Sequence, residues 1–204
     1  ALGISVPVGK DSLSMRTQWQ ADGQTKKVTA PVSLIVSAFA SLADVRGTLT
    51  PQLNREIEDS TLVLVDLGKG RHRLGGSILA QTLGHPGGDV PDLDDPQDLV
   101  NLVNAVNALR AQGRILAYHD RSDGGLLASV AEMAFAGQVG VALNVDQLVT
   151  EGDGISDSRA EMGDAKNWTK QVSARREELT LKALFNEELG VVLQVRTDQR
   201  NEVM

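Results

Sequence analysis

The sequence of 204 residues contains no cysteine. Disulfides, Cys-ligated zinc and a thiolate nucleophile are therefore excluded, and a reducing, cytoplasmic setting is compatible. Aromatic residues amount to only 3%: three Phe, two Trp and one Tyr. A core must then be assembled from Leu, Val, Ile and Ala, which suits helices layered on a sheet better than stacking on nucleic-acid bases. No uninterrupted apolar run reaches the roughly 18 residues that a membrane-spanning helix needs. Basic charge is also short, with 20 Lys and Arg against 27 Asp and Glu and a net charge of −7. Counterion release requires clustered Lys and Arg, so neither nucleic acid nor a membrane is expected as a partner. Ala1 to Val8 carries no initiating Met and no basic-then-apolar leader, and the chain is expected to be cut from a longer one.

What is present reads as alternating strands and helices. Val32 to Leu42 (VSLIVSAFASL) is apolar and β-branched, which predicts a buried strand, and Thr48 to Ser60 then reads as a linker with a domain boundary near Pro51. Thr61 to Leu67 predicts a second buried strand, and Gly75 to Leu83 a helix with a glycine-rich start. The Pro- and Asp-rich stretch His85 to Asp98 predicts a surface loop. At its end Asp95 stands where an N-cap belongs and Pro96 at the first helical position, and Leu99, Leu102, Val103, Val106 and Leu109 recur at helical spacing until Gly113. Strand is expected at Arg114 to His119, helix at Leu126 to Ala136 ended by Gly137, strand at Val139 to Val145, helix at Glu178 to Phe185 and strand at Gly190 to Val195. The polar stretch Thr150 to Glu177 reads as an insertion. The fold class predicted is α/β (α+β), a layered sheet with flanking helices.

The stretch with most chemistry is Tyr118 to Leu127 (YHDRSDGGLL), where a strand runs through two carboxylates, a hydroxyl and two glycines into a helix. The unpaired N–H groups and positive dipole end of a helix start attract anions. Gly124 and Gly125 would allow a phosphate close to the backbone, Ser122 can donate to a phosphate oxygen, and Asp120 or Asp123 can hold Mg²⁺ against it. The plainer reading makes Ser122 or Asp123 a helix cap and the glycines a tight turn. Asp120 discriminates, since a cap explains one carboxylate and not two. A triad of His119, Asp120 and Ser122 is rejected because strand neighbours face opposite ways.

Other motifs fail. Gly9-Lys10-Asp11-Ser12 lacks the first glycine and the hydroxyl position of a phosphate loop, Gly68-Lys69-Gly70 lacks the third glycine of a dinucleotide fingerprint, and the aspartates from Asp89 to Asp98 lack the EF-hand glycine. The cluster Lys69, Arg71, His72 and Arg73 reads as a solvated turn rather than an anion site. His72 and His85 have no partner at metal-ligand spacing, and Tyr118 and Trp168 receive no role.

Four blocks, VPVGKDSLSM (Val6 to Met15), DLGKGRHRLGGSILAQ (Asp66 to Gln81), AYHDRSDGGLLASVAEMAFAG (Ala117 to Gly137) and LFNEELGVVLQV (Leu184 to Val195), resemble in order the formylglycinamide ribonucleotide amidotransferase family, also called phosphoribosylformylglycinamidine synthase, in its large single-chain form. The resemblance implies that residues 1–50 are the tail of an N-terminal synthetase-like domain. Residues 51–204 would then be a C-terminal domain of the aminoimidazole ribonucleotide synthetase type, with the insertion at 150–177. It implies a share in an ATP- and glutamine-consuming ligase, with Asp120 as a Mg²⁺ ligand and Ser122 contacting ATP or ADP at an auxiliary nucleotide site. Its remaining Mg²⁺ ligands would lie on the preceding domain. The partners implied are other domains of the same chain, a glutaminase domain included, and the piece alone is expected to be inactive. The alternative is a scaffolding and interaction domain that binds no nucleotide of its own. A weaker one is a stand-alone kinase-like or synthetase-like member of the same superfamily.

Overall fold

Two β-strands joined by Asp22 and Gly23 form the first element of the structure, a computed structural model that describes residues 3–10, 15–30, 34–144 and 176–204. Strand β1 (Arg16–Ala21) pairs antiparallel with β2 (Gln24–Thr29), Trp19 opposite Lys26. Asp22 and Gly23 have φ of 55° and 72°, the two left-handed residues of a two-residue hairpin turn. Its faces are almost entirely exposed. Without hydrophobic alternation the strands escape a pattern reading, and the Asp-Gly pair is the signal that would have found them.

The chain divides into two units, Ala1–Arg46 and Gly47–Met204. In the first, the strand expected at Val32 to Leu42 is not seen over its described part, residues 34–42. Residues 34–42 are irregular, and Leu34, Ile35 and Phe39 are 89%, 90% and 96% exposed. A strand needs a neighbour for its N–H and C=O groups, and this run is paired with none among the described residues.

The second unit is built on three strands in the order β3 (Ser60–Asp66), β5 (Gly190–Arg196), β4 (Ala117–Asp120), both outer strands antiparallel to β5. Strand alternation sends Leu62 and Leu64 of β3, Ala117 of β4 and Val192 of β5 to one face, where Leu126, Val130 and Met133 of helix α3 (Gly125–Gly137) cover them. Val63, Val65, Tyr118, Val191, Leu193 and Val195 go to the other face, against Leu102, Val106 and Leu109 of helix α2 (Pro96–Ala111). The layered α/β class read from the sequence is the one observed. The segment read as a linker is irregular but packed: Leu53 is buried beneath α3, and the buried Gln194 amide accepts from Asn54 N at 2.7 Å and donates to Asn54 O at 3.0 Å.

Local signals placed α2 well. Asp95 Oδ1 accepts from Gln97 N at 2.9 Å with Pro96 in the first turn, and Gly113 follows the helix with φ 67°. Helix α1 is shorter than expected, only Ile78–Thr82, because Ser77 is its cap and Gly75 and Gly76 lie in the turn before it. The left-handed residue ending α3 is Gln138, φ 56°, rather than Gly137. A Cβ on Gly137 would lie 2.8 Å from Leu53, so that glycine serves packing. No strand forms over 139–144, although Val139 and Val141 pack against the α3 core. The apolar pattern there records burial without pairing. Residues 176–185 form helix α4, in keeping with the expected Glu178 to Phe185, and α5 (Arg200–Val203) closes the chain. The expected insertion, apart from its last two residues, lies outside the described residues. No described helix is long and apolar enough to cross a membrane.

Candidate functional site

Strand β4 runs out of the sheet at Asp120, and the next four residues turn the chain into α3. The turn is closed by Gly125 N donating to Ser122 O at 2.9 Å, with Gly124 at φ 85°, ψ 0°. Such a conformation favours glycine, as at the third position of a type II turn. Gly124 is the N-cap of α3 and makes no side-chain cap bond, so neither Ser122 nor Asp123 caps the helix. The plainer reading thus holds for the glycines, which make the tight turn, and fails for the cap. Ser129 ties the turn instead, donating to Asp120 O at 3.1 Å and Gly125 O at 3.1 Å.

Asp120, Ser122 and Asp123 are exposed, side by side at the carboxyl end of β4. Asp120 shares its sheet face with Tyr118, whose hydroxyl donates to Asp120 Oδ1 at 2.5 Å. Burial and the neighbouring carboxylate push the Tyr118 phenol well above its ordinary value, so it remains a donor. His119 faces the other way, its Nε2 2.8 Å from Glu132 of α3 and its Nδ1 2.6 Å from the main-chain oxygen of Asp120, which keeps it out of any triad with that carboxylate.

Gly124 and Gly125 stand where the sequence reading wanted a phosphate, and the structure shows what meets them. Gly124 N donates to Glu187 Oε1 at 2.8 Å, and the same oxygen accepts from Ile78 N at 2.9 Å. The chain thus supplies its own anion to the starts of α1 and α3, in accord with their dipoles. Gly125, at φ 72°, is closed over by the backbone of 184–186: a Cβ would sit 2.7 Å from Asn186 O and Phe185 C.

Between the exposed residues lies Arg121, which is buried. Its Nε donates to Glu188 O at 2.5 Å, and one terminal nitrogen donates to Asp66 Oδ1 and, at 3.1 Å, to Leu189 O. Asp66 ends β3 and also accepts from Gly68 N at 3.1 Å and Gly70 N at 2.8 Å. Burial acts to raise the Asp66 carboxyl, but the Gly70 N–H, Arg121 and the Gly68 N–H together outweigh it and hold the group below its usual range. Glu188, also buried, takes Arg73 in a fork of 2.6 and 2.7 Å. The cluster read as a solvated turn is in fact largely paired. Lys69 meets Asp98 at 2.8 Å, Arg71 meets Asp94 at 2.7 Å, and Asn186 Nδ2 lies 3.1 Å from His72 Nδ1. Burial lowers the His72 imidazole below its ordinary value.

Asp120 and Tyr118 also border a cavity of about 310 Å³ between α2 and the sheet, whose other walls include Leu67, Leu102, Val106 and Val191. Among the described residues no group of three or more His, Cys, Asp or Glu could by itself enclose a metal. The donor set nevertheless suits Mg²⁺ as one corner of a site: the exposed carboxylate of Asp120, with that of Asp123 nearby in the chain, is a hard oxygen donor of the kind that ion uses together with phosphate oxygens and water.

Comparison with known families gives two matches. The family model described as AIR synthase related protein, C-terminal domain, covers residues 58–204. The model described as FGAR-AT PurM_N-like domain covers residues 1–41.

Proposed function

The chain belongs to the family of AIR synthase related C-terminal domains, and on that footing we propose that it works within the ATP-dependent ligase of purine biosynthesis that converts formylglycinamide ribonucleotide, ATP and glutamine to formylglycinamidine ribonucleotide. The FGAR-AT match over residues 1–41 and the four sequence blocks from Val6 to Val195 support this choice within the family. The chain's part is an auxiliary Mg²⁺–nucleotide site, to which Asp120 contributes a metal ligand and Ser122 a hydrogen bond to ATP or ADP. Gly124 and Gly125 serve the same site by letting the turn fold tightly enough to bring Ser122 beside Asp120. Bound Mg²⁺ would neutralise phosphate charge.

The observation that carries this reading is the exposed Asp120 carboxylate at a strand end, held by Tyr118 rather than used in a helix cap. Because Asp120 is a single ligand, the site is completed by another domain of the same enzyme, and the isolated chain is inactive. With no cysteine in the sequence, glutamine is hydrolysed by a separate glutaminase domain. The setting is the cytoplasm, with neither nucleic acid nor membrane as partner.

Isothermal titration of Mg·ADP into the intact enzyme carrying this chain tests the assignment. Asp120→Ala is expected to weaken binding at least about tenfold, a loss that even groups supporting a metal ligand commonly produce. Unchanged affinity removes Asp120 from the site. A second reading, a scaffolding domain without nucleotide, is favoured by one observation: the exposed apolar run 34–42 offers unpaired backbone to a partner. Intact enzyme that binds no nucleotide would favour it.

A further inference from the structure

We propose that Tyr118 is the positioning residue for Asp120: its phenol fixes one carboxylate oxygen so that the other is presented to Mg²⁺ on a nucleoside diphosphate. The inference rests on the reading of Asp120 as a Mg²⁺ ligand. It assigns a role to a side chain that sequence reasoning left without one.

The argument begins with strand geometry. Residues two apart on β4 share a face, so Tyr118 and Asp120 project together on the α2 side of the sheet, while His119 projects toward α3. The Tyr118 ring packs against the core cluster of Ile115, Val191, Leu193 and Val195 and is half-buried there. Its hydroxyl reaches out of this apolar wall to Asp120 Oδ1 at 2.5 Å. A ring seated on that cluster has less freedom than an exposed carboxylate at a strand end, so the ring is the steadier partner of the pair.

Asp120 itself is exposed and ends the strand, where its side chain would otherwise exchange among rotamers at each approach of a cation. The charged neighbours are engaged elsewhere. Arg121 turns inward to Asp66 and to the carbonyls of Glu188 and Leu189, and the His119 ring lies against Glu132 and the main-chain oxygen of Asp120. A neutral phenol suits the task better than either. It donates one directed hydrogen bond without adding positive charge that would compete with Mg²⁺ for the carboxylate.

The test is a titration of the intact enzyme with ADP at a series of Mg²⁺ concentrations, in the wild type, Tyr118→Phe, Asp120→Asn and the double variant. Phe keeps the apolar body of the ring and removes only the donor. Tyr118→Phe is expected to raise the Mg²⁺ concentration for half-maximal ADP binding by about tenfold, the usual scale for loss of a group that orients a metal ligand. At saturating Mg²⁺ it should return to wild-type ADP affinity. Asp120→Asn should abolish the Mg²⁺ dependence, and adding Tyr118→Phe to it should change nothing further.

If Asp120→Asn keeps its Mg²⁺ dependence, the ligand assignment fails, and this inference with it. If Asp120→Asn loses that dependence while Tyr118→Phe keeps the wild-type midpoint, the positioning role alone is overturned. It is equally overturned if Tyr118→Phe weakens ADP by one factor at every Mg²⁺ concentration, or if its effect persists undiminished in the Asp120→Asn background. Either result would mean that the ring acts by packing.

Discussion

Arg121 binds two separate pieces of the chain with one guanidinium: the end of β3 through Asp66, and the carbonyls of Glu188 and Leu189 just before β5. Those bonds are what hold the exposed Asp120 and Ser122 in place on either side of it. The depressed Asp66 carboxyl makes this junction sensitive to acid. Asp66 is more acidic folded than its ordinary 3.8. Its contribution is therefore fully present above that value and is lost as pH falls through the lower, folded one. Stability measured by urea unfolding should fall on acidification below about pH 4. Asp66→Asn should be less stable at neutral pH and show a flatter acid limb. Parallel acid limbs in the two proteins would show that Asp66 is not the group responsible. The exposed positions of this site were legible, because a strand, a polar turn and a helix succeed one another within ten residues of sequence. Arg121 was not, since its carbonyl partner at Glu188 lies 67 residues away and nothing local announces it.

The same contrast holds for whole elements. Helix α2 begins where the sequence says it should, because Asp95 and Pro96 act on the very next residues. Helix α3 has no local cap: its start is completed by Glu187, which also completes the start of α1. One carboxylate oxygen thus couples two helix N-termini, and its loss should be felt at both. Glu187→Ala is expected to cost about 0.5–2 kcal/mol, the range for losing the acceptor at a helix N-terminus. Hydrogen exchange should quicken at the amides of Ile78 and Gly124 together. Glu187→Gln, which retains an acceptor oxygen, should restore much of the protection. Faster exchange at only one of the two amides would mean that the two helix starts are independent.

Across the molecule, the strands that were read correctly are those that find partners, β3 and β5 above all, and the two misread runs are those that do not. An apolar, β-branched run says that its side chains suit burial; whether its backbone is paired depends on a distant segment, and neither Leu34 to Leu42 nor Val139 to Asn144 is paired in the structure. The consequence for stability can be argued from the cores. Among the described residues, both clusters draw their side chains from Leu49 to Val203. Removing residues 1–46 should therefore leave the urea midpoint of the remainder unchanged, and should raise its solubility by deleting the exposed Leu34, Ile35 and Phe39. Met133→Ala, which empties a fully buried position under α3, should by contrast lower stability by about 2–5 kcal/mol in either length of chain. A truncated protein that unfolds without cooperativity, or a Met133→Ala effect that differs between the two lengths, would mean that the first unit contributes to the core after all.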